Sequence, residues 1–258
     1  MTASMNQLRD GLIATAYEAG KAIMAVYAAG FVTTRKEDSS PVTAADLAAE
    51  KIIIDALAEL APGIPVVAEE QAAAVGLPRE AAARFFLVDP LDGTKEFVAR
   101  NGEFTVNIAL IEHGAPVLGV VFLPALDEMY AGHGDAAFRW RQGGAAEPIA
   151  ARQLPPGGAV MAISRSHAAR ELVQVEGLGE HVAATMVAGS SLKFCRIAEG
   201  VADLYPRFGP TMEWDTAAGH AILLAAGGSV ATLDGKALAY GKPGFRNPHF
   251  IARGRRPA

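Results

Sequence analysis

Acidic residues recur at three separate places where the sequence predicts that a strand or a helix begins or ends. They are Glu69, Glu70, Asp89, Asp92 and Asp215. Carboxylate oxygens are the ligands that a hard cation such as Mg2+ prefers in proteins. If the fold brings these segments together, the sequence predicts a Mg2+ site with all-oxygen ligands.

The hexapeptide Asp89–Thr94, with the sequence DPLDGT, is the most informative stretch of the chain. A buried strand over 85–88 is predicted to deliver Asp89 to its end, where Pro90 lacks the N–H group needed to continue the ladder. Asp92 follows three residues later at a turn. Both carboxylates can then face one point, with the Leu91 carbonyl between them, and this predicts three oxygen ligands for Mg2+.

The same hexapeptide offers backbone donors for a phosphate. Gly93 and Thr94 are expected at a helix start, where free N–H groups hold an anion well. One short segment could therefore bind the metal and the phosphate together. The alternative interpretation is an Asp-Pro-x-Asp-Gly surface turn, a composition that is common in loops.

Each of the other acids also has an ordinary structural explanation. Glu69 and Glu70 could simply be the solvated end of a strand. Asp215 could be only an N-cap, which contributes about 1 kcal/mol to the stability of a helix. Asp46 could be the acid of a capping box that begins at Thr43, because Thr-x-x-Asp fits that pattern.

The elements that must position these acids follow from hydrophobic periodicity and turn signals. In the first half we predict helices over 5–29 and 43–60, a surface segment over 71–83, and strands over 65–68, 85–88, 104–111, 117–123 and 128–131. In the second half we predict strands over 159–163, 185–188, 202–205 and 229–232, and helices over 167–174, 191–199 and 215–226. The alternation of helix and strand indicates layered sheets with helices packed on them.

A candidate boundary between two subdomains lies in the segment Gln142–Gly158, which is rich in glycine, proline and alanine. We therefore predict an N-terminal α+β subdomain over 1–145 that carries most of the metal ligands. A C-terminal α/β subdomain over 155–252 is expected to supply Asp215 and the contacts to the substrate.

Composition argues against several classes of protein. The 258 residues carry a formal net charge of −5, which is unlike the basic surface of a general nucleic-acid binder. The longest apolar run is far shorter than a membrane span, and the N-terminal segment lacks the basic region and cleavage site of a signal peptide. The single cysteine, Cys195, cannot form an internal disulfide and lies in an apolar segment that predicts a core position. We therefore expect a cytoplasmic protein whose partner is a small molecule.

The C-terminal arginines Arg253, Arg255 and Arg256 predict a frayed basic tail. Such a tail could make a weak peripheral contact with the anionic cytoplasmic face of an inner membrane, although three arginines are few. The sequence indicates no oligomeric state.

Three linked motifs resemble the signature of the inositol-monophosphatase superfamily. They are Glu69-Glu70, Asp89-Pro-Leu-Asp-Gly-Thr94 and Trp214-Asp-Thr-Ala-Ala-Gly219, and their order and separations fit over nearly the whole chain. The resemblance implies an α+β fold, an αβαβα layered sandwich of the inositol-monophosphatase/fructose-bisphosphatase type, with the active site between two subdomains. It also implies a Mg2+-dependent phosphomonoesterase with two or three Mg2+ ions per site.

The resemblance also implies roles for individual residues. The implied metal ligands are Glu69, Asp89, the Leu91 carbonyl, Asp92 and Asp215. Thr94 and Asp46 would orient the water nucleophile, and Glu70 is included with them among the catalytic residues. The residues implied to contact the reacting end of the substrate are Glu69, Leu91, Asp92, Gly93, Thr94 and Asp215.

Four further segments, over 92–105, 163–167, 189–194 and 204–210, resemble the 3′(2′),5′-bisphosphate nucleotidases of this superfamily. A bisphosphate needs a second anion site beyond the metals, and the predicted members are His167, Ser190, Lys193 and Arg207. Arginine in particular suits bidentate phosphate contacts. The alternatives are that Lys193 and Arg207 are solvated charges and that His167 has only a structural role.

The resemblance therefore implies hydrolysis of the 3′-phosphate of adenosine 3′,5′-bisphosphate to AMP and phosphate, with a role in sulfur assimilation and nucleotide recycling. One rival is an inositol monophosphatase or a broad sugar-phosphate phosphatase. Lys95-Glu96 and the two segments that contain Lys193 and Arg207 argue against a small neutral polyol as the substrate. A second rival is a catalytically silent protein that binds Mg2+ or nucleotide, but the full set of expected ligands argues against lost activity.

Overall fold

Two long helices begin the fold and pack against each other on one face of a large sheet. The structure, a computed structural model, describes residues 4–29, 34–35, 41–42, 44–164, 172–175, 177–179 and 181–255. Helix α1 spans Met5–Ala29 and helix α2 spans Ala44–Leu60. Their buried side chains recur at helical spacing and share one apolar cluster with the sheet, as the periodicity predicts.

Seven of the described strands form the large sheet. They are β3 (Val66–Ala68), β4 (Arg84–Asp92), β5 (Thr105–Glu112), β6 (Ala115–Leu123), β7 (Glu128–His133), β8 (Ala136–Arg141) and β9 (Glu147–Ile149), which lie side by side in chain order. Only the β3–β4 pair is parallel within this described set. A separate two-stranded ribbon pairs β1 (Thr34–Arg35) with β2 (Pro41–Val42).

Five further described strands form a second sheet. They are β10 (Ala159–Ile163), β11 (Val182–Val187), β12 (Leu204–Arg207), β13 (Ser229–Thr232) and β14 (Phe250–Arg253), in the spatial order β11-β10-β12-β14-β13. Strand β10 is parallel to both of its neighbours, whereas β14 is antiparallel to β12 and β13. The first sheet ends at Ile149 and the second begins at Ala159. The proposed division into two subdomains stays a prediction.

The layer between the two sheets contains α6 (Leu192–Ala198) and α7 (Ala217–Ala225), whose side chains belong to the cluster that joins both sheets. Every residue of α7 except Leu224 is buried, as expected for a helix that is covered on all sides. A helical segment, α5, is described over 172–175 and covers the outer face of the second sheet through Val175. The order of layers is therefore helix, sheet, helix, sheet, helix, and the predicted αβαβα sandwich is confirmed.

Close approach of α7 to the first sheet depends on two glycines that pair across neighbouring strands, Gly119 of β6 and Gly132 of β7. A Cβ atom at Gly119 would lie 2.2 Å from the carbonyl oxygen of Ala218, and one at Gly132 would lie 2.9 Å from Cα of Ile222. Side chains at these positions would push α7 off the sheet. The two glycines therefore set the position of the loop that precedes α7, which carries Asp215.

Several predictions about the elements need correction. Residues 71–83 are exposed or half-buried as predicted, and the first of them belong to α3, which spans Glu69–Val75. The sequence reasoning missed β8, β9 and β14, and the basic tail is not frayed at Arg253, which lies in β14, or at Arg255, whose N–H donates to the Arg152 carbonyl. Arg256 and most of the helix predicted over 167–174 lie outside the described residues. No helix in the described part of the chain has the length and apolar character needed to cross a membrane.

Candidate active site

A β-bulge in β4 places Asp89 and Asp92 on the same face of the large sheet. Asp89 pairs with Asn107 of β5 and Asp92 pairs with Thr105, so three steps on β4 match two on β5. Residues three apart on a regular strand point to opposite faces, and the extra residue of a bulge removes that difference. The prediction that β4 ends at Asp89 is therefore wrong: the ladder is interrupted at Pro90, as predicted, but resumes at Asp92, and both carboxylates face one side.

Three carboxylates from three elements meet at this end of β4. One oxygen each from Glu69, Asp89 and Asp215 lies within 4.8 Å of the others, which is a separation that a bound cation can bridge. Glu69 is the first residue of α3, directly after β3, and β3 is parallel to β4. Asp215 precedes α7, and its Oδ2 accepts a hydrogen bond of 2.9 Å from the Met212 N–H. The fold therefore brings together acids that lie far apart in the sequence.

The electrostatics of this cluster fit a divalent cation. Burial raises the pKa of Asp89 well above its ordinary value, and four neighbouring carboxylates raise it further; they are Glu69, Asp92, Asp215 and Asp46. Burial also raises the pKa of Asp215, as do the carboxylates of Asp92 and Glu69, against the lowering effect of the Met212 N–H and of the Arg207 charge. Closely spaced buried acids repel one another when all are ionised, and hard oxygen donors around a shared point are the preferred ligands of Mg2+.

Residues at the start of α6 contact Asp92 and Asp215 together. Burial raises the pKa of Asp92 to about 6, against the lowering effect of the Lys193 charge and of the Ser191 N–H that donates to it. The Ser191 hydroxyl donates to the Asp215 carbonyl at 2.8 Å and lies 3.4 Å from the Asp92 carboxylate. Ser191 therefore connects a residue of the first sheet with the loop that precedes α7.

The predicted phosphate-binding end of the hexapeptide begins a short helix, as the sequence predicts. Helix α4 spans Thr94–Val98, and Gly93 precedes it with a left-handed backbone at φ 89°. A Cβ atom at Gly93 would lie 2.1 Å from the Ser190 hydroxyl, so only glycine fits without a shift. The Thr94 hydroxyl lies 3.5 Å from the Leu91 carbonyl oxygen, which places it next to a predicted metal ligand.

Two more predicted catalytic acids are buried close to the cluster. Asp46 lies in the first turn of α2, and its charge raises the pKa of Asp89. Glu70 follows Glu69 in α3 and is also buried. The capping-box interpretation of Asp46 depends on Thr43, which lies outside the described residues. Asp215 is not the N-cap of α7, because Thr216 occupies that position.

A cavity of about 180 Å³ opens beside Asp92 and Asp215. Its other lining residues are Gly93, Lys95, Glu96, Ser164, Gly189, Ser190, Lys193, Tyr205, Arg207, Thr211 and Thr216. The cavity therefore joins the carboxylates to residues of α4, the α6 segment and β12. Ser190, Lys193 and Arg207 from the predicted second anion site all line it, whereas His167 lies outside the described residues.

The three described residues of the predicted second anion site differ in the hydrogen bonds that they already make within the protein. Lys193 is buried, and its Nζ donates to the carbonyls of Ala188 at 3.2 Å and Ser190 at 2.9 Å, so the alternative of a solvated charge is wrong. The Ser190 hydroxyl lies 2.9 Å from the Asp92 carbonyl and 3.0 Å from that of Glu103. The buried Nε of Arg207 has no hydrogen-bond partner among the residues that the structure describes. The Nη2 of Arg207 donates to the Pro210 carbonyl at 3.2 Å, so its Nε is the donor of this guanidinium that a ligand could use.

Sequence reasoning missed three residues near the cluster. Ser191 was not singled out from its neighbour Ser190, and Glu50 was not considered. Asn107, opposite Asp89 on β5, is buried, and neither of its side-chain polar atoms has a partner within the described part of the chain. The available signal for Asn107 was an amide inside the apolar run TVNIALIE. The signal for Glu50 was its position one helical turn after Asp46.

Comparison with known proteins shows the family to which this chain belongs. The chain is 53% identical over 241 residues to the 3′(2′),5′-bisphosphate nucleotidase CysQ of Salmonella typhimurium, which covers 91% of this chain and 95% of the relative. It is 49% identical over 245 residues to the protein of the same name from Escherichia coli strain K12, with 93% and 97% covered. The crystal structure of CysQ from Bacteroides thetaiotaomicron, described as a bacterial member of the inositol monophosphatase family, matches with a TM-score of 0.77 at 35% identity, over 96% of this chain and 98% of that one. The sequence profile of the inositol monophosphatase family matches residues 4–254, and this chain therefore belongs to that family.

Proposed function

We propose that this chain is a Mg2+-dependent 3′(2′),5′-bisphosphate nucleotidase that hydrolyses the 3′-phosphate of adenosine 3′,5′-bisphosphate to AMP and phosphate. The observation that carries the substrate is the cavity that joins the carboxylates of Asp92 and Asp215 to the cations of Lys193 and Arg207. A substrate with two phosphates can place one at the acids and the other at Arg207. The relatives that share about half of the sequence carry the name of this activity.

The proposed metal ligands are Glu69, Asp89, the Leu91 carbonyl, Asp92 and Asp215. Two or three Mg2+ ions held by them would supply positive charge for the phosphate oxygens and lower the pKa of a water molecule. A metal-free cluster of these acids would repel a phosphate dianion, so metal binding and substrate binding are expected to be coupled. The cluster binds metal best when its carboxylates are ionised.

The other residues of the site position the reactants. Thr94 and Asp46 are proposed to orient a water molecule toward phosphorus, with Glu70 as a further catalytic carboxylate. The N–H groups of Gly93 and Thr94 are proposed to hold the phosphate in line with that water. A bond then forms between the water oxygen and phosphorus as the water gives up a proton, the bond from phosphorus to the ribose 3′ oxygen breaks, and that oxygen takes up a proton in its place.

Arg207 gives the sharpest test of the substrate, because its Nε is a buried donor without a partner in the described structure. Arg207→Ala should lower kcat/KM for adenosine 3′,5′-bisphosphate by about 10- to 150-fold, which corresponds to about 1.5–3 kcal/mol for a charged hydrogen bond. Hydrolysis of adenosine 3′-monophosphate, which lacks the second phosphate, should change little. Arg79→Ala removes an exposed arginine and serves as the matched control.

Equal losses for the bisphosphate and the monophosphate would show that Arg207 acts on the reacting phosphate or on the fold, and would remove the main support for a bisphosphate. The rival inositol or sugar-phosphate phosphatase is tested by comparing wild-type kcat/KM for adenosine 3′,5′-bisphosphate and inositol 1-phosphate with Mg2+. A higher value for inositol 1-phosphate would favour the rival. Release of phosphate from neither substrate would favour a silent binding protein.

The remaining predictions concern partners and location. We propose a small-molecule phosphate ester as the partner, no nucleic acid, and a cytoplasmic location. A weak peripheral contact of the C-terminal arginines with the cytoplasmic face of an inner membrane stays a prediction.

A further inference from the structure

A buried carboxylate that plays no part in the proposed reaction binds the segment that carries Glu69 and Glu70. Glu50 of α2 is buried, and its two oxygens accept hydrogen bonds of 2.7 Å each from the main-chain N–H groups of Glu70 and Gln71. The contact joins residues that lie 20 and 21 positions apart in the sequence. It therefore ties helix α2 to the start of α3.

This contact replaces the ordinary cap of α3. The N-cap position is Ala68, which makes no side-chain capping hydrogen bond, and the next three residues are Glu69, Glu70 and Gln71. An N-cap side chain normally accepts from the N–H of the second or third helical residue. Glu50 accepts from both, and its negative charge also suits the positive end of the helix dipole. The first turn of α3 is therefore fixed by a carboxylate from another helix.

The position of Glu50 along α2 links this cap to the candidate active site. Asp46 lies four residues earlier, so both carboxylates project from the same face of α2 one turn apart. Asp46 approaches the cluster closely enough to raise the pKa of Asp89, and Glu50 holds the turn from which Glu69 reaches the same cluster. The same face of α2 thus carries Asp46 and, through Glu50, positions Glu69 relative to the cluster.

We propose that Glu50 is a positioning residue for metal binding, because its carboxylate fixes the first turn of α3 and thereby aims Glu69 at the point shared with Asp89 and Asp215. The inference rests on the proposed metal site and adds a residue that does not itself touch the metal or the substrate. Outer residues that orient metal ligands typically change metal affinity by 10- to 100-fold when they are replaced. Loss of Glu50 should therefore weaken Mg2+ binding before it affects the chemical step.

The experiment is calorimetric titration of the full-length, metal-free chain with Mg2+, in the absence of substrate. Glu50→Ala should weaken Mg2+ binding by about 10- to 100-fold. Glu50→Asp keeps the charge but is one methylene too short to reach both N–H groups, so it should weaken binding about as much. Glu50→Gln keeps the length and one acceptor and should give an intermediate loss. Glu59→Gln removes an exposed charge from the same helix and should match wild type.

Activity gives a second readout that separates positioning from catalysis. The Mg2+ concentration for half-maximal phosphate release should rise in Glu50→Ala by the same factor as the binding constant, while kcat at saturating Mg2+ returns close to the wild-type value. If Glu50→Ala does not fold by circular dichroism, the aspartate and glutamine variants carry the same comparison.

Wild-type Mg2+ affinity in Glu50→Asp together with a full loss in Glu50→Gln would show that only the charge matters, and would overturn the proposal. Unchanged Mg2+ affinity in all three variants would overturn it as well. Failure of the wild-type chain to hydrolyse the bisphosphate would refute the proposed function, but it would leave the Mg2+ titrations and the role of Glu50 intact. The two proposals can therefore fail separately.

Discussion

At the scale of single residues, Asp89 is the centre of the acidic cluster. It is buried, four other carboxylates raise its pKa, and one of its oxygens accepts the Leu91 N–H at 3.1 Å. Burial of an ionised carboxylate is costly unless a cation or several donors compensate it. We infer that Asp89 contributes to metal binding at the expense of the stability of the metal-free fold.

The substitution Asp89→Asn should therefore separate function from stability. We expect kcat with Mg2+ to fall to less than about a tenth of the wild-type value, because a metal ligand and its charge are lost. The free energy of unfolding without metal should not fall, since the amide removes a buried charge from a repulsive cluster. Phosphate release and thermal unfolding measure the two effects, with exposed Asp135→Asn as the control. Kinetics close to wild type would contradict the assignment.

Lys193 requires a different expectation from Arg207, although both line the same cavity. Lys193 donates to two carbonyls of its own segment, and its charge lowers the pKa of Asp92. Lys193→Ala should therefore disturb the α6 segment beside Asp92 and reduce kcat/KM for bisphosphate and monophosphate substrates alike. The comparison of both substrates in Lys193→Ala and Arg207→Ala measures this. A loss confined to the bisphosphate in Lys193→Ala would assign that residue to the second phosphate instead.

At the scale of elements, the turn between β4 and α4 brings the hexapeptide into contact with the α6 segment. Gly93 faces the Ser190 hydroxyl, which in turn lies within hydrogen-bond distance of the Asp92 carbonyl. A side chain at position 93 would therefore do more than strain its own backbone. It would push away the segment that also contains Ser191 and Lys193.

Two glycine substitutions can separate these effects. Gly93 and Gly63 both have left-handed backbones, with φ of 89° and 83°, but a Cβ atom at Gly63 would meet nothing within 4 Å. Gly63→Ala should lower the free energy of unfolding by roughly 1–2 kcal/mol, which is the cost of a left-handed backbone for a residue with a Cβ atom. It should leave kcat unchanged. Gly93→Ala should cost clearly more and should reduce kcat as well. Denaturant unfolding and phosphate release are the measurements, and equal effects of the two variants would refute the close contact with Ser190.

The same scale shows which elements the sequence can predict. Long periodic segments such as α1 and buried apolar strands such as β10 were predicted with nearly their observed bounds. Strand β8, with the sequence AAFRWR, was missed because its arginines break the apolar pattern. The structure gives the reason, since Arg139 and Arg141 both bind the buried carboxylate of Glu199, the residue that follows α6. The arginines of that strand pair with a distant carboxylate that no local pattern reveals.

The candidate site shows the same limit. The acidic motifs could be predicted because their residue types and order are informative on their own. Glu50 and Ser191 could not, because their partners are main-chain groups about 20 residues away, namely the N–H of Glu70 and the carbonyl of Asp215. The bulge of β4 was also missed, since Pro90 indicates an interruption of pairing but not whether the strand resumes.

At the scale of the whole molecule, the acidic cluster depends on layers that different parts of the chain supply. The large sheet provides Asp89 and Asp92, whereas Asp215 comes from the loop before a helix of the middle layer. The Gly119–Gly132 pair lets that helix lie close to the sheet. A binding event at the cluster should therefore stabilise the assembled fold as a whole, because the unfolded chain cannot hold these acids together.

This coupling predicts how stability depends on pH. Asp92 has an ordinary pKa of 3.8 and a folded-state pKa of about 6, and the pKa values of Asp89 and Asp215 are also raised. Between these values the folded protein binds more protons than the unfolded chain, so the free energy of unfolding must fall as the pH rises. Without metal, the melting temperature should therefore decrease from about pH 4 to about pH 7.

Mg2+ should reverse this trend, because it competes with protons for the same carboxylates and binds more tightly as they ionise. The gain in melting temperature with saturating Mg2+ should thus grow across the same pH range. Groups elsewhere in the chain also titrate, so the informative quantity is the difference between wild type and Asp92→Asn, which cannot ionise at that position. The metal-free difference should favour the asparagine variant increasingly toward neutral pH, as burial and the carboxylates of Glu96 and Glu69 outweigh the charge of Lys193. A difference independent of pH would mean that Asp92 titrates in the folded protein as it does in the unfolded chain. The carboxylates of the cluster would then not repel Asp92, and a bound metal would have no such repulsion to relieve.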